Sequence, residues 1–187
     1  LGTGKKKKLV SLSKYDEKDT ERKIFIFQDL TKLVAAEEEH KTSEAEFKTV
    51  VNALPDIIYR INDKGEFTFL NRAIVHLGYT PEELMGKHYR EILHPDDIKK
   101  VSREYVLPKL IGKITGDEES PKLFDERRDG VRCTKNLQLR IVPKGWNQKT
   151  SKRFANFTVL GELNATGEYL GNKFLGTMGI IRDVTDH

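Results

Sequence analysis

Hydrophobic and polar positions alternate with two different periods along the chain, and the change of period separates strands from helices. Residues 9–12 and 24–27 are short β-rich runs with a polar stretch between them, and they predict a pair of antiparallel strands. From residue 32 to residue 54 the apolar positions recur every three or four residues, which predicts a helix. Pro55 is expected to end that helix, because the residue before a proline is disfavoured in the helical conformation.

The apolar seam of this helix supports two interpretations. It consists of Leu33, Ala36, His40, Ser43, Phe47, Val50 and Leu54. The spacing is that of a heptad repeat, but the middle positions are polar. The seam therefore fits either a helix packed on its own domain or a connector that forms a dimeric coiled coil.

The middle of the chain contains the boundary residues of a hairpin and of short helices. Residues 56–70 alternate around the turn sequence NDKG, which predicts a hairpin. Asn71 is a good helix N-cap residue. Thr80 and Glu83 form the capping-box pattern of a second short helix, with Pro81 suited to its first position.

The carboxyl-terminal half begins with a longer helix, which Pro95 is expected to start and Pro108 to kink or end. Asp129-Gly130 is a turn dipeptide and predicts a second hairpin over residues 122–142. Residues 144–173 are interpreted as a long insertion with one possible strand, and a last strand follows it. Helices that lie between two groups of strands indicate the α+β class, with an antiparallel sheet covered on one face.

Several motifs, in this order and at these separations, resemble the PAS domain of the sensory-box type, with PAC-like strands at its carboxyl end. They are LPDIIYRINDKGEFTFLNRAIVHLGYTPEELMGK, ILHPDD, RRDGVR and GIIRDVT, and the matching residues run from about Phe47 to Thr185. The resemblance implies a five-stranded antiparallel sheet in the spatial order 2-1-5-4-3. Short helices would cover one face of this sheet, and a connector helix would precede it.

The resemblance also implies a sensory role. PAS domains regulate attached output domains, so the chain is expected to be a non-catalytic module of a signal-transduction protein. The implied output domain is the histidine kinase of a two-component system, and the implied assembly is a homodimer formed through the connector helix. Two alternatives remain: a protein–protein interaction or dimerisation domain without a small-molecule ligand, and the regulatory domain of a cyclic-dinucleotide enzyme.

The same resemblance explains a repeated sequence pattern. IFIFQDLTK, residues 24–32, and GIIRDVTDH, residues 179–187, both pass from an apolar strand to Asp-x-Thr. In the family the last strand commonly ends in this pattern and a helix leaves from it. The residues predicted to couple a domain to a helix are therefore Asp29, Thr31, Asp183 and Thr185. The implied organisation is the last two strands of a preceding PAS-like domain over 1–31, a connector over 32–54 and a PAS domain over 55–187.

The space between sheet and helices is where family members hold ligands. Its predicted lining is Tyr59, Phe69, Tyr89, Val101, Tyr105, Leu139 and Met178. Apolar walls with a few polar tips suit a small-molecule pocket and also a filled core, and a filled core without a cofactor is preferred. A small metabolite or a non-covalent flavin fits the same lining. Photoactive flavin-binding members of the family have a reactive cysteine where this chain has GKHYREIL, so a covalent flavin adduct is not expected. His76, His88 and His94 are better explained as surface or hydrogen-bonded residues than as haem ligands.

Composition narrows the function classes further. The chain has 187 residues, a formal net charge of +4 and a single cysteine, Cys133. One cysteine cannot form a disulfide framework within a chain, and it fits a cytoplasmic compartment. Dense positive charge is confined to residues 5–8, so nucleic acid is not an expected partner, and no apolar run approaches the roughly 20 residues that span a bilayer. The absence of a phosphate-binding loop, a nucleophile motif or clustered metal ligands gives no support to catalysis.

Overall fold

The computed structural model describes residues 10–16, 23–29, 31–146 and 158–185. These residues belong to two compact units, Leu1–Thr49 and Val50–His187. The first unit contains most of a long helix, and the second contains a five-stranded sheet with short helices.

The first unit begins with a two-stranded antiparallel sheet. Strand β1 (Val10–Asp16) pairs with strand β2 (Lys23–Asp29), and these two strands form a sheet of their own. The predicted pairing is therefore present, apart from residue 9, which lies outside the described residues. That these strands end a preceding PAS-like domain stays a prediction.

Helix α1 (Thr31–Ala53) follows β2 directly. It starts at the threonine of the first Asp-x-Thr pattern and ends two residues before Pro55, in agreement with the sequence prediction. Ion pairs between Glu37 and Lys41 and between Glu44 and Lys48 span one helical turn on its surface. Water screens such exposed pairs, so they support the helix only weakly and do not explain its length.

The second unit is built on a five-stranded antiparallel sheet, as predicted. Its strands are β3 (Ile57–Ile61), β4 (Phe67–Leu70), β5 (Thr134–Ile141), β6 (Val159–Leu170) and β7 (Lys173–Asp183). Their spatial order is β4-β3-β7-β6-β5. This is the predicted order 2-1-5-4-3 when the strands of this sheet are counted alone, so the fold class and the topology are confirmed.

Short helices connect β4 to β5 and pack on one face of the sheet. They are the 3-10 helix Arg72–Leu77, α2 (Pro81–Leu84), the 3-10 helix Tyr89–Ile92, α3 (Pro95–Val101), α4 (Arg103–Val106) and the 3-10 helix Leu107–Leu110. The predicted capping box is present, since the Glu83 amide donates to Thr80 Oγ1 and the Thr80 amide donates to Glu83 Oε2. The buried side chains of these helices and of the inner sheet face form one core.

The helix predicted to run from Pro95 breaks earlier than expected. Ser102 has an extended backbone, with φ −90° and ψ 135°, so α3 ends there and α4 begins immediately after it. The break lies six residues before Pro108, and it turns the chain so that Ser102 points into the core, where it is 1% exposed. The position of Pro108 in the sequence does not predict this break. The helix ends at Ser102 together with a buried hydrogen bond to Ser102, and not because a proline lacks a backbone N–H group.

The second predicted hairpin is wrong in its first half. Asp129 precedes the 3-10 helix Gly130–Arg132 instead of occupying a hairpin turn, and residues 111–129 form no helix or strand. We call residues 121–128 the strap, because they cross the core side of the sheet. Only the second half of the predicted hairpin is a strand, namely β5.

The long insertion predicted over residues 144–173 is also shorter than expected. Residues 159–170 form β6, which pairs with β5 on one side and β7 on the other. The segment between β5 and β6 spans residues 142–158, and residues 147–157 lie outside the described ones. The one possible strand predicted in this segment therefore corresponds to β6, which extends to Leu170 and lies between two other strands of the sheet.

Candidate functional site

Three stacked aromatic rings fill the space between the sheet and the helices. The Phe124 ring of the strap lies between Tyr59 of β3 and Tyr89, with centroid distances of 4.7 Å and 4.6 Å and interplanar angles of 15°. All three side chains are at most 1% exposed. Stacked rings at this spacing add to the stability gained from burying their apolar surface.

Each polar atom of the stack has a hydrogen-bond partner. The Tyr59 hydroxyl donates to the Phe124 carbonyl over 3.0 Å, and the Tyr89 hydroxyl donates to Ser102 Oγ over 2.8 Å. The Phe124 amide donates to the Val101 carbonyl over 2.9 Å. Burial raises the pKa of Tyr59 well above its usual range and that of Tyr89 to about 12, so both hydroxyls are uncharged at neutral pH.

The structure brings together four of the seven residues predicted to line this space. Tyr59, Tyr89, Val101 and Leu139 are buried in the core. Phe69 and Met178 both pair with Arg60, whose side chain is exposed, so they lie on the outer face of the sheet. Tyr105 is 39% exposed and lies beside the Arg90 guanidinium.

Phe69 and Tyr105 lie outside the predicted lining for different physical reasons. A register shift between Arg60 and Ile61 puts Phe67 and Phe69 on opposite faces, although strict alternation predicts one face for both. Tyr105 follows the helix break at Ser102, so it does not share the face of Val101. Sequence reasoning also missed Phe124, because it lay in a segment predicted to be a strand.

A buried glutamate anchors the strap. The Glu126 side chain is fully buried, and its Oε1 accepts hydrogen bonds from the amides of Arg127 and Arg128, both over 2.9 Å. It also pairs with the Arg128 guanidinium and accepts from Thr134 Oγ1 of β5 over 2.8 Å. Burial acts to raise the pKa of this carboxyl, but the Arg128 and Thr134 hydrogen bonds outweigh it and hold the pKa below its usual range.

The strap contacts β7 through one short hydrogen bond. Thr177 Oγ1, which is 1% exposed, donates to the Glu126 carbonyl over 2.6 Å. Two residues further along β7, a Cβ at Gly179 would lie 2.5 Å from the Tyr59 ring. Strand β7, the last strand in the sequence, is therefore in direct contact with both the strap and the aromatic stack.

The predicted coupling residues at the end of β7 form a compact lock. The Thr185 amide and hydroxyl both donate to Asp183 Oδ1, over 2.9 Å and 2.6 Å. Thr185 Oγ1 in turn accepts from the Leu160 amide of β6 over 3.1 Å. We call Asp183 and Thr185 the exit lock, because together they fix the end of β7 to the neighbouring strand.

The corresponding residues of the first Asp-x-Thr pattern lie where β2 ends and α1 begins. Asp29 is the last residue of β2 and is exposed, and Thr31 is the first residue of α1. The placement agrees with the predicted strand-to-helix boundary. Their role in coupling stays a prediction.

Asn71 connects the elements at the entry to the second unit, instead of capping a helix as predicted. Its side chain accepts from the Ile58 amide over 3.0 Å and donates to the carbonyls of Val51 and Asp56, over 3.0 Å and 2.9 Å. It makes no capping hydrogen bond to the following 3-10 helix. The Asp56 carboxylate also accepts from Arg182 of β7 over 3.4 Å, so the entry and the exit of the sheet are neighbours.

The three histidines considered as haem ligands have other contacts or lie outside the core. His88 Nδ1 and His94 Nδ1 each accept from a backbone amide two residues later, at the start of a helix. His76 is exposed on the surface. Within the described ranges, no group of three His, Cys, Asp or Glu side chains is arranged to hold a metal ion, and no helix is long and apolar enough to cross a membrane.

Asp125 of the strap is a carboxyl group whose charge the fold disfavours. Burial raises its pKa to about 6, although its Oδ1 accepts from the Arg103 amide and the charges of Arg103 and Arg127 act in the opposite direction. The negative charge of the Asp125 carboxylate also raises the pKa of Tyr59 and of Tyr89. The folded position of the strap is therefore less stable when Asp125 is ionised than when Asp125 is protonated.

We expect Asp125→Asn to stabilise the protein at neutral pH but not at pH 4. The raised pKa means that wild-type stability falls as pH rises from about 4 to about 6, by roughly 3 kcal/mol for a shift of about two units. The asparagine variant keeps the acceptor for the Arg103 amide without this loss. Urea unfolding of both proteins between pH 4 and pH 8 measures the difference, with Asp129→Asn as an exposed control. A gap between the curves that is the same at every pH would contradict the prediction.

The fold and the filled cavity define a class of protein that comparison with known proteins identifies. A sequence model described as the PAS fold matches residues 45–150, which is more than half of the chain. The chain belongs to the PAS family, whose domains are typically non-catalytic sensory modules of signal transduction. No curated protein matches the chain in sequence.

The chain is similar to solved structures of PAS domains, one of them with a TM-score above 0.5. The PAS domain of an HTR-like protein from Haloarcula marismortui is 18% identical, with a TM-score of 0.51, and the match covers 80% of this chain and 98% of that one. A PAS domain from Colwellia psychrerythraea is 18% identical, with a TM-score of 0.48 and coverage of 76% and 98%. A PAS domain from a two-component sensor histidine kinase is 15% identical, with a TM-score of 0.46 and coverage of 75% and 98%.

Proposed function

We propose that this chain is a sensory module that relays a change in its core to an attached output domain. The observation that carries the proposal is the path along β7. Thr177 holds the strap, Gly179 lies against the Tyr59 ring, and the exit lock follows at the end of the same strand. A displacement of the aromatic stack would therefore move the end of β7, where the proposed output domain is attached.

The proposed output domain is a histidine kinase. This choice rests on the family resemblance, in which PAS domains are often attached to such kinases. The regulatory domain of a cyclic-dinucleotide enzyme would use the same path along β7 with a different output.

The relay is tested with the chain joined through its carboxyl end to the transmitter domains of a histidine kinase. Thr177→Val removes the hydrogen bond from β7 to the strap, and we expect it to change autophosphorylation about fivefold, within the usual range of coupling energies. In a chain that also carries Asp183→Ala and Thr185→Ala, the same substitution should have no effect. Thr68→Val, at an exposed position of β4, is the matched control. Equal effects of Thr177→Val with and without the exit lock would refute the relay.

We also propose that the module is a homodimer formed through α1. Ala36, His40 and Ser43 are exposed on the predicted seam, and Phe47, Val50 and Leu54 are 59%, 64% and 44% exposed in the single chain. Apolar side chains at heptad spacing gain stability when a second helix covers them. A second copy of the same helix presents a matching seam.

We expect Val50→Glu to weaken the dimer at least a hundredfold. Two valines lose about 1.5 kcal/mol of burial each, and two negative charges face each other in the seam. Sedimentation equilibrium over a range of concentrations measures the dissociation constant. Ala45→Glu, which places the same charge on the opposite face of the helix, should leave it unchanged.

The outer face of the sheet supports a second candidate, an interaction domain. A groove of about 300 Å³ crosses β5, β6 and β7, and Met178 and Ile180 on its floor are 40% and 42% exposed. The sedimentation experiment separates the two candidates. Dissociation by Ile180→Glu but not by Val50→Glu would favour the sheet face over the helix.

A further inference from the structure

Two isoleucines in the segment between α4 and the strap are almost completely exposed. Ile111 is 81% exposed and Ile114 is 102% exposed, and among the residues that the structure describes no large apolar side chain is more exposed than these two. They lie three residues apart and gain little or no hydrophobic stabilisation from folding. We call residues 109–114 the tip, because the chain turns there at the end of the 3-10 helix Leu107–Leu110.

A hydrogen-bonded turn fixes the conformation of the tip. The Lys113 amide donates to the Leu110 carbonyl over 3.0 Å. Ile111 has φ −56° and ψ 126°, and Gly112 has φ 76°, values that fit a type II turn. The third position of such a turn needs a positive φ, which glycine adopts without strain. A Cβ built on Gly112 meets no atom within 4 Å, so this side of the turn faces open space.

The base of the tip is anchored by an arginine. The Arg132 guanidinium donates to the Thr115 carbonyl over 3.2 Å and to Thr115 Oγ1 over 2.8 Å. The same guanidinium lies 3.6 Å from the carboxylate of Asp117, the first acidic residue after the tip, and so balances its charge. Arg132 therefore fixes the base of the tip to the segment that leads into β5, and it leaves both isoleucines exposed.

The tip itself is positively charged. Lys109 precedes the two isoleucines and Lys113 lies between them, and both lysines are exposed. Neither lysine forms an ion pair within the part of the chain that the structure describes. Exposed aliphatic side chains beside lysines match a surface that has an apolar interior beneath a negatively charged layer.

The size of the tip favours a lipid surface over a folded protein partner. A stable protein interface uses about 20–30 residues from each partner, whereas the tip has only the residues from 109 to 114. Insertion into a bilayer needs no matching pocket, because acyl chains adapt to the side chains that enter them. Two aliphatic side chains and two lysines suit weak, reversible binding, of the order of a single myristoyl chain with an association constant of about 10⁴ M⁻¹.

We propose that the tip is a docking site for an anionic lipid bilayer, with Ile111 and Ile114 inserted among the acyl chains and Lys109 and Lys113 at the lipid phosphates. The inference goes beyond the relay along β7 and does not depend on it. Docking would hold the module at a membrane surface through a contact that requires no membrane-spanning helix.

The test is co-sedimentation of the whole chain with vesicles of equal parts phosphatidylglycerol and phosphatidylcholine, and with vesicles of phosphatidylcholine alone. We expect binding to the anionic vesicles to be about tenfold stronger or more at low ionic strength. Ile111→Ser combined with Ile114→Ser should lower the partition coefficient about tenfold or more, because neither side chain then enters the acyl region. Val75→Ser combined with Met85→Ser removes two exposed apolar side chains elsewhere on the domain and should leave it unchanged.

Charge substitutions and hydrogen exchange test the orientation of the tip. Lys109→Gln combined with Lys113→Gln should weaken binding to anionic vesicles about tenfold and reduce its dependence on salt, because the lysines act through their charge. Glu118→Gln combined with Glu119→Gln should strengthen binding, since these two exposed carboxylates follow the tip and are repelled by the same surface. Hydrogen exchange of the Lys113 amide should slow with anionic vesicles and stay unchanged with phosphatidylcholine vesicles.

Equal binding to the two kinds of vesicle, or equal losses in the tip serine variant and its control, would overturn the inference. Absence of binding by the wild type, or binding that leaves exchange of the Lys113 amide unchanged, would also overturn it. If the tip substitutions changed the mass of the chain in sedimentation without vesicles, the tip would be a contact between copies of this chain and not a lipid site. All substituted side chains are exposed, so every variant should fold, and urea unfolding checks this. The wild-type measurements decide the inference if a variant does not fold.

Discussion

Glu126→Ala is expected to lower the free energy of unfolding by about 3–5 kcal/mol, the range for removing one partner of a buried ion pair. The substitution leaves the Arg128 guanidinium without its carboxylate and takes the acceptor from the amides of residues 127 and 128. The Thr134 hydroxyl also loses the acceptor to which it donates. Buried donors without acceptors are costly because folding has already removed their water.

Urea unfolding at pH 7.5 measures this loss, and Glu118→Ala, at an exposed position before the strap, should change stability by less than about 0.5 kcal/mol. The lowered pKa of Glu126 adds a pH signature. Its contribution is present above the unfolded value of 4.5 and disappears as pH falls through the lower folded value, so the gap between wild type and variant should narrow in acid. Equal stability of wild type and Glu126→Ala at pH 7.5 would show that the carboxylate does not anchor the strap.

The parts of the fold that the sequence predicts well depend on bonds between neighbouring residues. Thr80 and Glu83, for example, are three residues apart and cap each other. The hairpin of β3 and β4 follows from alternation around a turn. The order of the five strands came from the family resemblance, since local patterns do not determine which distant strands pair.

The parts that the sequence predicts poorly depend on partners far along the chain. The helix breaks at Ser102, whose hydroxyl accepts a hydrogen bond from Tyr89. The Phe124 carbonyl accepts a hydrogen bond from Tyr59, which lies 65 residues earlier in the sequence. Asp129-Gly130 has the composition of a turn, but the preceding residues are held by Glu126 and not by a strand ladder. No local pattern contains this information.

The candidate site shows the same division. Strand alternation predicts the inner face for Tyr59 and Leu139, and both are buried there, whereas the register shift beside Ile61 reverses the face of Phe69. Met178 is apolar like the other predicted lining residues, but pairing with Arg60 places it on the outer face. A register shift or a pairing partner is a property of two strands, so one strand's sequence cannot reveal it.

Asn71→Ala is expected to destabilise the second unit by about 3–5 kcal/mol, since buried polar groups left without partners cost about 1–3 kcal/mol each. The asparagine side chain satisfies the Ile58 amide and the carbonyls of Val51 and Asp56, and the residue is completely buried. Alanine removes the side-chain partner of all three backbone groups and creates a small cavity, and the Val51 carbonyl keeps only the 3.4 Å hydrogen bond from the Leu54 amide. Asn71→Asp should also be costly, because its second oxygen would face two carbonyl acceptors.

A neighbouring asparagine provides the control for this prediction. Asn52 Oδ1 accepts from the Arg72 amide over 2.9 Å at the same junction, but this bond is exposed, and water can replace it. Asn52→Ala should therefore cost less than about 1 kcal/mol in the same urea titration. If the two alanine variants lost equal stability, burial of the Asn71 network would not be what holds the last turn of α1 to β3. With the expected difference, hydrogen exchange should also accelerate at the Ile58 amide in Asn71→Ala and stay unchanged in Asn52→Ala, because only Asn71 accepts from that amide.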